Sequence, residues 1–130
     1  MKIIDIKTQD IRFPTSKDNL GTDAVHVDCD YSATYVTIFT DQKDLTGIGL
    51  TFTIGKGNDL CCTVIEYFKE FIIGKNIEEI ERDIASIWEK ITNHSQLRWV
   101  GPQKGVTHLA AAAFFNACLL YTSPSPRDRI

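Results

Sequence analysis

Basic residues are in short supply: 14 Lys and Arg stand against 17 Asp and Glu, for a formal net charge of -3 and a pI near 5.5. They are scattered rather than clustered. A nucleic-acid partner and an anionic membrane surface are therefore not expected, since both call for basic patches. Long hydrophobic runs are missing too, and none approaches the roughly 20 residues of a membrane span. The opening "MKIIDIKTQD" carries a lysine at position 2 and then alternates, unlike a signal or transit peptide. A cytoplasmic location is the expectation. At 130 residues and 43% hydrophobic, the chain is long enough for one domain with a real core. A large barrel needs roughly 200 residues or more.

Cysteine is sparse: Cys29, Cys61, Cys62 and Cys118. None is spaced as C-x-x-C, and the adjacent pair would point to different faces of a helix, so no zinc pair or disulfide framework is implied. They read as small apolar residues. "TIGKGND" has closely spaced glycines but no G-K-[ST] ending and no third Rossmann glycine. A turn into a capped helix is the better reading. Nowhere does a nucleophile–base pair, a zinc constellation or a convincing carboxylate dyad emerge.

What is present is patterning. Residues 2–13 alternate with period two and read as a strand, with Ile4, Ile6, Thr8, Asp10 and Arg12 on one side. Pro14 ends it, and a polar loop runs from Thr15 to about Asp30. "YSATYVTIFT" and "IGLTFTI" read as two more strands around the turn "DQKDLTG", which should make them pair antiparallel. Asn58 can cap a helix in which Val64, Ile65, Phe68, Phe71 and Ile72 keep helical spacing, with Gly74 at its end. Asn76 can cap a second helix, striped by Ile77, Ile80, Ile84, Ile87, Trp88 and Ile91. A third, from about Val106, is apolar on every side and wants burial on every side. The order β-β-β-α-α-α describes an α+β domain, a three-stranded antiparallel meander followed by three helices.

Two stretches could carry chemistry. "GTDAVHVDCDYS" packs Asp23, His26, Asp28, Asp30 and Tyr31 into one loop. A calcium loop is excluded, because counting from Asp28 puts Ala33 and Phe39 where Gly and Glu are needed. Three readings stay open: a His–carboxylate metal site, a solvated acidic loop, and a ligand-contacting loop. For the last, small Gly21 and hydrogen-bonding Asp23, His26 and Tyr31 suit a polyhydroxylated ligand. "SQLRWVGPQKGVTH" offers Arg98, which could hold a carboxylate bidentately or simply pack on Trp99. His108 in the same stretch reads as structural.

Taken in order, "DIRFPTS", "GTDAVHVDCDYSATYV", "GLTFTIGKGND", "SQLRWVGPQKGVTHLAAA" and "FFNA" resemble the amino-terminal region of L-fuconate dehydratases. These belong to the mandelate racemase subgroup of the enolase superfamily, and the resemblance runs from Ile3 to Ala117. It implies a capping domain, residues 1–117, lying over the C-terminal mouth of a (β/α) barrel. In such enzymes the barrel supplies the catalytic Lys and His and the carboxylates that hold Mg²⁺. The product is a 2-keto-3-deoxy sugar acid. Carried over by position, the substrate contacts fall on Gly21, Thr22, Asp23 and Tyr31, with His26, Arg98 and Trp99 as possible additional pocket residues. No catalytic or metal-binding residue is expected in the chain itself. Cys29 stands where the resemblance leads one to expect proline.

The resemblance further implies that "NA" continues with an apolar residue and Trp-Asp-Leu. Cys118 fits, but Leu119 and Leu120 do not. "LLYTSPSPRDRI" instead resembles translated adaptor or vector sequence, so residues 118–130 are expected to be a non-native tail. On this reading the barrel is the chain's own missing partner, and the 130 residues alone are inactive and expose apolar surface on the last helix. The intact enzyme is expected to be a homo-oligomer. Two alternatives stand beside it: a dehydratase of another sugar acid, of galactonate or aldarate type, and a stand-alone small-ligand binding or interaction module.

Overall fold

The computed structural model describes residues 1–101 and 103–122, the last two by backbone alone. Most of the expected tail, 123–130, lies outside the described residues. Strands β1 (Ile3–Arg12), β2 (Ser32–Thr40) and β3 (Thr46–Thr53) form an antiparallel meander with β2 in the middle. Among the described residues five helical segments follow: α1 (Asn58–Tyr67), α2 (Lys69–Ile72), α3 (Ile77–Arg82), α4 (Ile84–Thr92) and α5 (Val106–Thr122). The α+β order expected from the pattern is the order found.

Register explains which face is buried. Ile6, Ile38 and Gly47 lie abreast, as do Thr8, Val36 and Gly49, and these rows face the helices. The alternate rows, such as Gln9, Tyr35 and Leu50, face outward. The alternation of β1 breaks at its start. A register shift between Ile3 and Asp5 turns both Ile3 and Ile6 inward and leaves Ile4 exposed. Ile4 therefore does not share a face with Ile6, as unbroken alternation would require. Here β1 also bonds outside the sheet, Ile3 N–H to the Lys75 carbonyl and Gly74 N–H to the Ile3 carbonyl. A bulge re-aims side chains in this way.

The largely apolar helix α5 is the centre of the fold, packed on β3 and β2 and flanked by α1, α3 and α4. Ala110, Ala111, Ala113, Phe114, Phe115, Ala117 and Cys118 are buried. The expected exposed apolar surface on this helix is thus confined to a few positions, Leu109 and Leu120 among them. The larger exposed apolar row lies on β3, at Ile48, Leu50 and Phe52. The seat of α5 is Gly49. A Cβ there would come within van der Waals radii of the Ala113 carbonyl oxygen and 2.7 Å from the Ala117 nitrogen. Only glycine lets backbone approach backbone so closely. A chain of rings, Phe71–Phe68–Phe114–Phe115–Trp88, then runs through the core.

Two expected helices are each divided. The first breaks at Phe68, where Phe68 N–H bonds to the Ile65 carbonyl and Phe71 N–H to that of Phe68, the tighter 3₁₀ spacing. The second is interrupted at Asp83 (φ -131°), although Ile87 N–H still reaches the Asp83 carbonyl across the joint. Asn76 holds the expected cap position, and its Nδ2 donates to Glu79 Oε1 rather than capping backbone. Asn58 is not the cap of α1, since Gly57 (φ 96°) takes that position. Asn58 is instead fully buried. Its Oδ1 accepts from the Thr34 (2.9 Å) and Thr53 (2.8 Å) hydroxyls, and its Nδ2 donates to Asp10 Oδ1 (2.6 Å) and the Ala33 carbonyl (3.1 Å). One amide therefore ties all three strands to the start of α1. Every polar position of the side chain is used, which is what burial demands.

Candidate functional site

The β1–β2 connection is the ligand-like loop. Its frame is made by residues that sequence reading passed over. Thr15 and Ser16 open a single 3₁₀ turn (Thr15–Asp18) after Pro14. Thr15 Oγ1 donates to the Cys29 carbonyl (2.9 Å) and accepts from Tyr31 N–H (3.0 Å). Ser16 donates to Asp30 Oδ1 through its hydroxyl (2.6 Å) and its N–H (3.1 Å). The Ser16 hydroxyl and N–H hold the Asp30 carboxyl below its ordinary value. The pattern Thr-Ser after Pro could have signalled this turn, but its partners lie 14 residues on.

Within the loop, Asp23 Oδ1 accepts from the Val25 N–H (2.7 Å) and His26 N–H (2.5 Å), while Oδ2 faces His26 Nδ1 at 3.5 Å. The backbone N–H groups of His26 and Val25 depress the Asp23 pKa, so this exposed carboxylate is charged at neutral pH. Thr22 is half-buried, its hydroxyl donating to the Asn19 carbonyl (3.2 Å). Tyr31 lies at the loop's end with its hydroxyl on the Gly21 carbonyl (2.5 Å) and its ring edge-on to Phe52 at 5.5 Å. Gly21, Thr22, Asp23, His26 and Tyr31 thus belong to one small, solvent-facing structure. It can bind through carboxylate and backbone groups. It lacks the buried acid–base pair that proton transfer requires.

Arg98 and Trp99 lie elsewhere, and they diverge. Trp99 is exposed, its Nε1–H donating to the Gln96 carbonyl, and it walls an apolar groove of about 400 Å³ with Leu60, Tyr67 and Phe71. Arg98 lines a separate polar recess of about 360 Å³ with Glu89, Asn93 and His108. His26 lines neither. His108 packs edge-on to Trp88 at 5.9 Å. Among the described residues, no three His, Cys, Asp or Glu side chains are placed to hold a metal ion. The donor set for Mg²⁺ is therefore not met by these residues. No helix of the described residues is long and apolar enough to cross a membrane.

No family model matches the chain. Individual proteins do. Mitochondrial enolase superfamily member 1 of Xenopus laevis is 46% identical over 117 residues, which is 89% of this chain and 26% of the relative. The crystal structure of the human protein of that name superposes with a TM-score of 0.84 at 42% identity, over 90% of this chain and 27% of that one. This is the amino-terminal capping region of the enolase superfamily. L-galactonate dehydratase of Hypocrea jecorina is 44% identical over 115 residues, 88% of this chain and 25% of the relative. A more distant structure, L-talarate dehydratase from Polaromonas complexed with Mg and L-glucarate, shares the fold at a TM-score of 0.64 and 16% identity, over 90% and 27% of the two chains. The capping region spans about a quarter of the length of the curated relatives it matches.

Proposed function

We propose that this capping region serves a Mg²⁺-dependent sugar-acid dehydratase, with L-fuconate as substrate and 2-keto-3-deoxy-L-fuconate and water as products. Gly21, Thr22, Asp23 and Tyr31 are its sugar contacts, and the loop carries no acid–base or metal-binding role. The observation that carries this reading is the Asp23 loop. It presents a solvent-facing carboxylate, anchored on the Val25 and His26 N–H groups, directly after small Gly21 and half-buried Thr22. Such a group accepts hydrogen bonds from sugar hydroxyls without demanding a particular proton state. The likeness to L-galactonate dehydratase supports the reaction class and favours a second substrate reading, an L-galactonate-type acid. Residues 1–117 form the capping unit in this reading. The 130 residues on their own are inactive, and the intact enzyme is a cytoplasmic homo-oligomer.

The test is a chimera in which residues 1–117 replace the equivalent region of human mitochondrial enolase superfamily member 1. Assayed with Mg²⁺, it should dehydrate L-fuconate, with L-galactonate and L-glucarate as comparison substrates. A folded, Mg²⁺-loaded chimera that dehydrates none of the three sinks the reading. A marked preference for L-galactonate moves it to the second.

A further inference from the structure

The Asp23 loop is held by very little. Among the described contacts of residues 21–28, most bonds stay within the loop, Thr22 to Asn19 and Asp23 to Val25 and His26. One hydrogen bond leaves it for the sheet frame, from the Tyr31 hydroxyl to the Gly21 carbonyl. Tyr31 itself is well fixed. Its N–H bonds to Thr15 Oγ1, its carbonyl accepts from Phe13 N–H, and its ring lies against Phe52. The fit at the other end is equally specific. Gly21 has φ +69°, and a Cβ on it would overlap the Tyr31 hydroxyl and ring carbons. Side chains other than glycine disfavour that backbone, and here they would also meet the phenol.

We infer that Tyr31 is a positioning residue, a latch whose hydroxyl holds the Gly21 carbonyl and so sets where Thr22 and Asp23 stand. Beyond any contact of its own with a bound sugar acid, it acts on that ligand through the loop, a point that rests on the functional reading above. The latch itself does not depend on that reading. Because the phenol donates to Gly21, it presents only acceptor lone pairs to any ligand.

The experiment uses the whole 130-residue chain without ligand, comparing ¹⁵N backbone order parameters of the native protein with those of Tyr31→Phe. That substitution keeps the ring and removes the donor. Residues 21–27 should fall from the rigid range near 0.85 towards about 0.6, while Val36 and Ile38 of β2 stay unchanged. Gly21→Ala, which keeps the hydroxyl but displaces the loop from it, should loosen the same residues. A loop as rigid in Tyr31→Phe as in the native chain overturns the latch. Equal loosening of loop and sheet also overturns it, since Tyr31 would then support the fold at large. In the chimera, Tyr31→Phe should raise KM for L-fuconate roughly three- to tenfold, the range one such hydrogen bond commands, and leave kcat within about twofold. A loosened loop with KM unchanged in both Tyr31→Phe and Asp23→Ala would uphold the latch and sink the sugar-contact reading, so the two fail separately.

Discussion

The two ends of the β-meander's chemistry could hardly differ more. On its inner face Ile6, Val36 and Ile38 are buried under α1 and α5, and at Gly49 helix backbone rests directly on strand backbone. At the β1–β2 loop, Asp23, Val25, His26 and Val27 are exposed, and the frame holds on through a few hydrogen bonds. The face is secured by volume, the loop by polar contacts. A region held by close packing tolerates little change without losing stability, whereas a region held by a handful of hydrogen bonds can change its side chains and keep the fold. Recognition groups are best placed on the second and supported by the first.

The sharpest way to break this contrast is to remove volume from the face. Phe68 is fully buried between Phe71 and Phe114, and Phe68→Ala should destabilise the chain by about 3–5 kcal/mol, read as a fall in the urea midpoint with unchanged slope. A shift below about 1 kcal/mol would mean that the face is not close-packed. Adding volume should act next most strongly. Gly49→Ala forces a methyl group against the α5 backbone, which cannot swing aside as a side chain could, and about 1–3 kcal/mol should be lost. Asn58→Ala belongs beside it. It removes a partner from Thr53, Thr34, Asp10 and the Ala33 carbonyl at once, the Thr34 hydroxyl keeping the residue-58 carbonyl and Asp10 keeping Arg12, and a buried group left unsatisfied costs about 1–3 kcal/mol. Equilibrium unfolding of each variant checks both values.

How far this contrast was legible in the sequence depends on the element. The three strands were legible from local signals, alternation in β1 and strand-forming residues around a polar turn in β2 and β3, and the burial of β2 alternates without interruption from Ser32 to Thr40. The bulge after Ile3 was not, because it answers to Gly74 and Lys75, more than 70 residues away. The largely apolar α5 announced a need for burial, but the elements that provide it, β2, β3, α1, α3 and α4, are tertiary facts. Gly49 is the residue that lets the helix sit, and nothing local in the strand announces that role. The divisions at Phe68 and Asp83 carry no Gly or Pro to announce them. At the loop, residue types marked Gly21, Asp23, His26 and Tyr31 as ligand-like, yet nothing local joins Tyr31 to Gly21 across ten positions. Arg98 and Trp99 are neighbours in sequence and line different recesses, because adjacent side chains in this turn diverge.

Acid sharpens the comparison further, with a smaller effect. Asp30 at the loop frame is depressed by the Ser16 hydroxyl, and Asp10 at the polar edge of the face is depressed by Arg12 and then by Asn58. A carboxyl whose folded pKa lies below its unfolded value, about 4, contributes stability that is present above that pH. The contribution disappears as pH falls through the depressed folded value. Stability should therefore decline on acidification below about pH 4, and Asp30→Asn should flatten that decline. Urea midpoints at pH 3 and pH 6 test it, and an unaltered slope would show that the Ser16 contact does not favour the charged form.

The smallest structural effect should come from Asp23→Ala, and that is its value. Asp23 is exposed, and the partners of its carboxylate are two N–H groups of its own loop and the exposed His26 ring, all of which water can satisfy when the carboxylate is gone. The unfolding free energy from urea titration should change by less than about 0.5 kcal/mol. In the chimera, KM for L-fuconate should nevertheless rise by about tenfold, the equivalent of about 1.4 kcal/mol, with Mg²⁺ affinity unchanged because no described residue near Asp23 forms a metal cluster. Asp23→Asn, which keeps an acceptor and loses the charge, should fall between. A large effect on affinity with almost none on stability is the signature of a recognition group carried by a finished scaffold. The opposite result, a fall in stability with KM unchanged, would place Asp23 in the frame and leave the sugar to other residues.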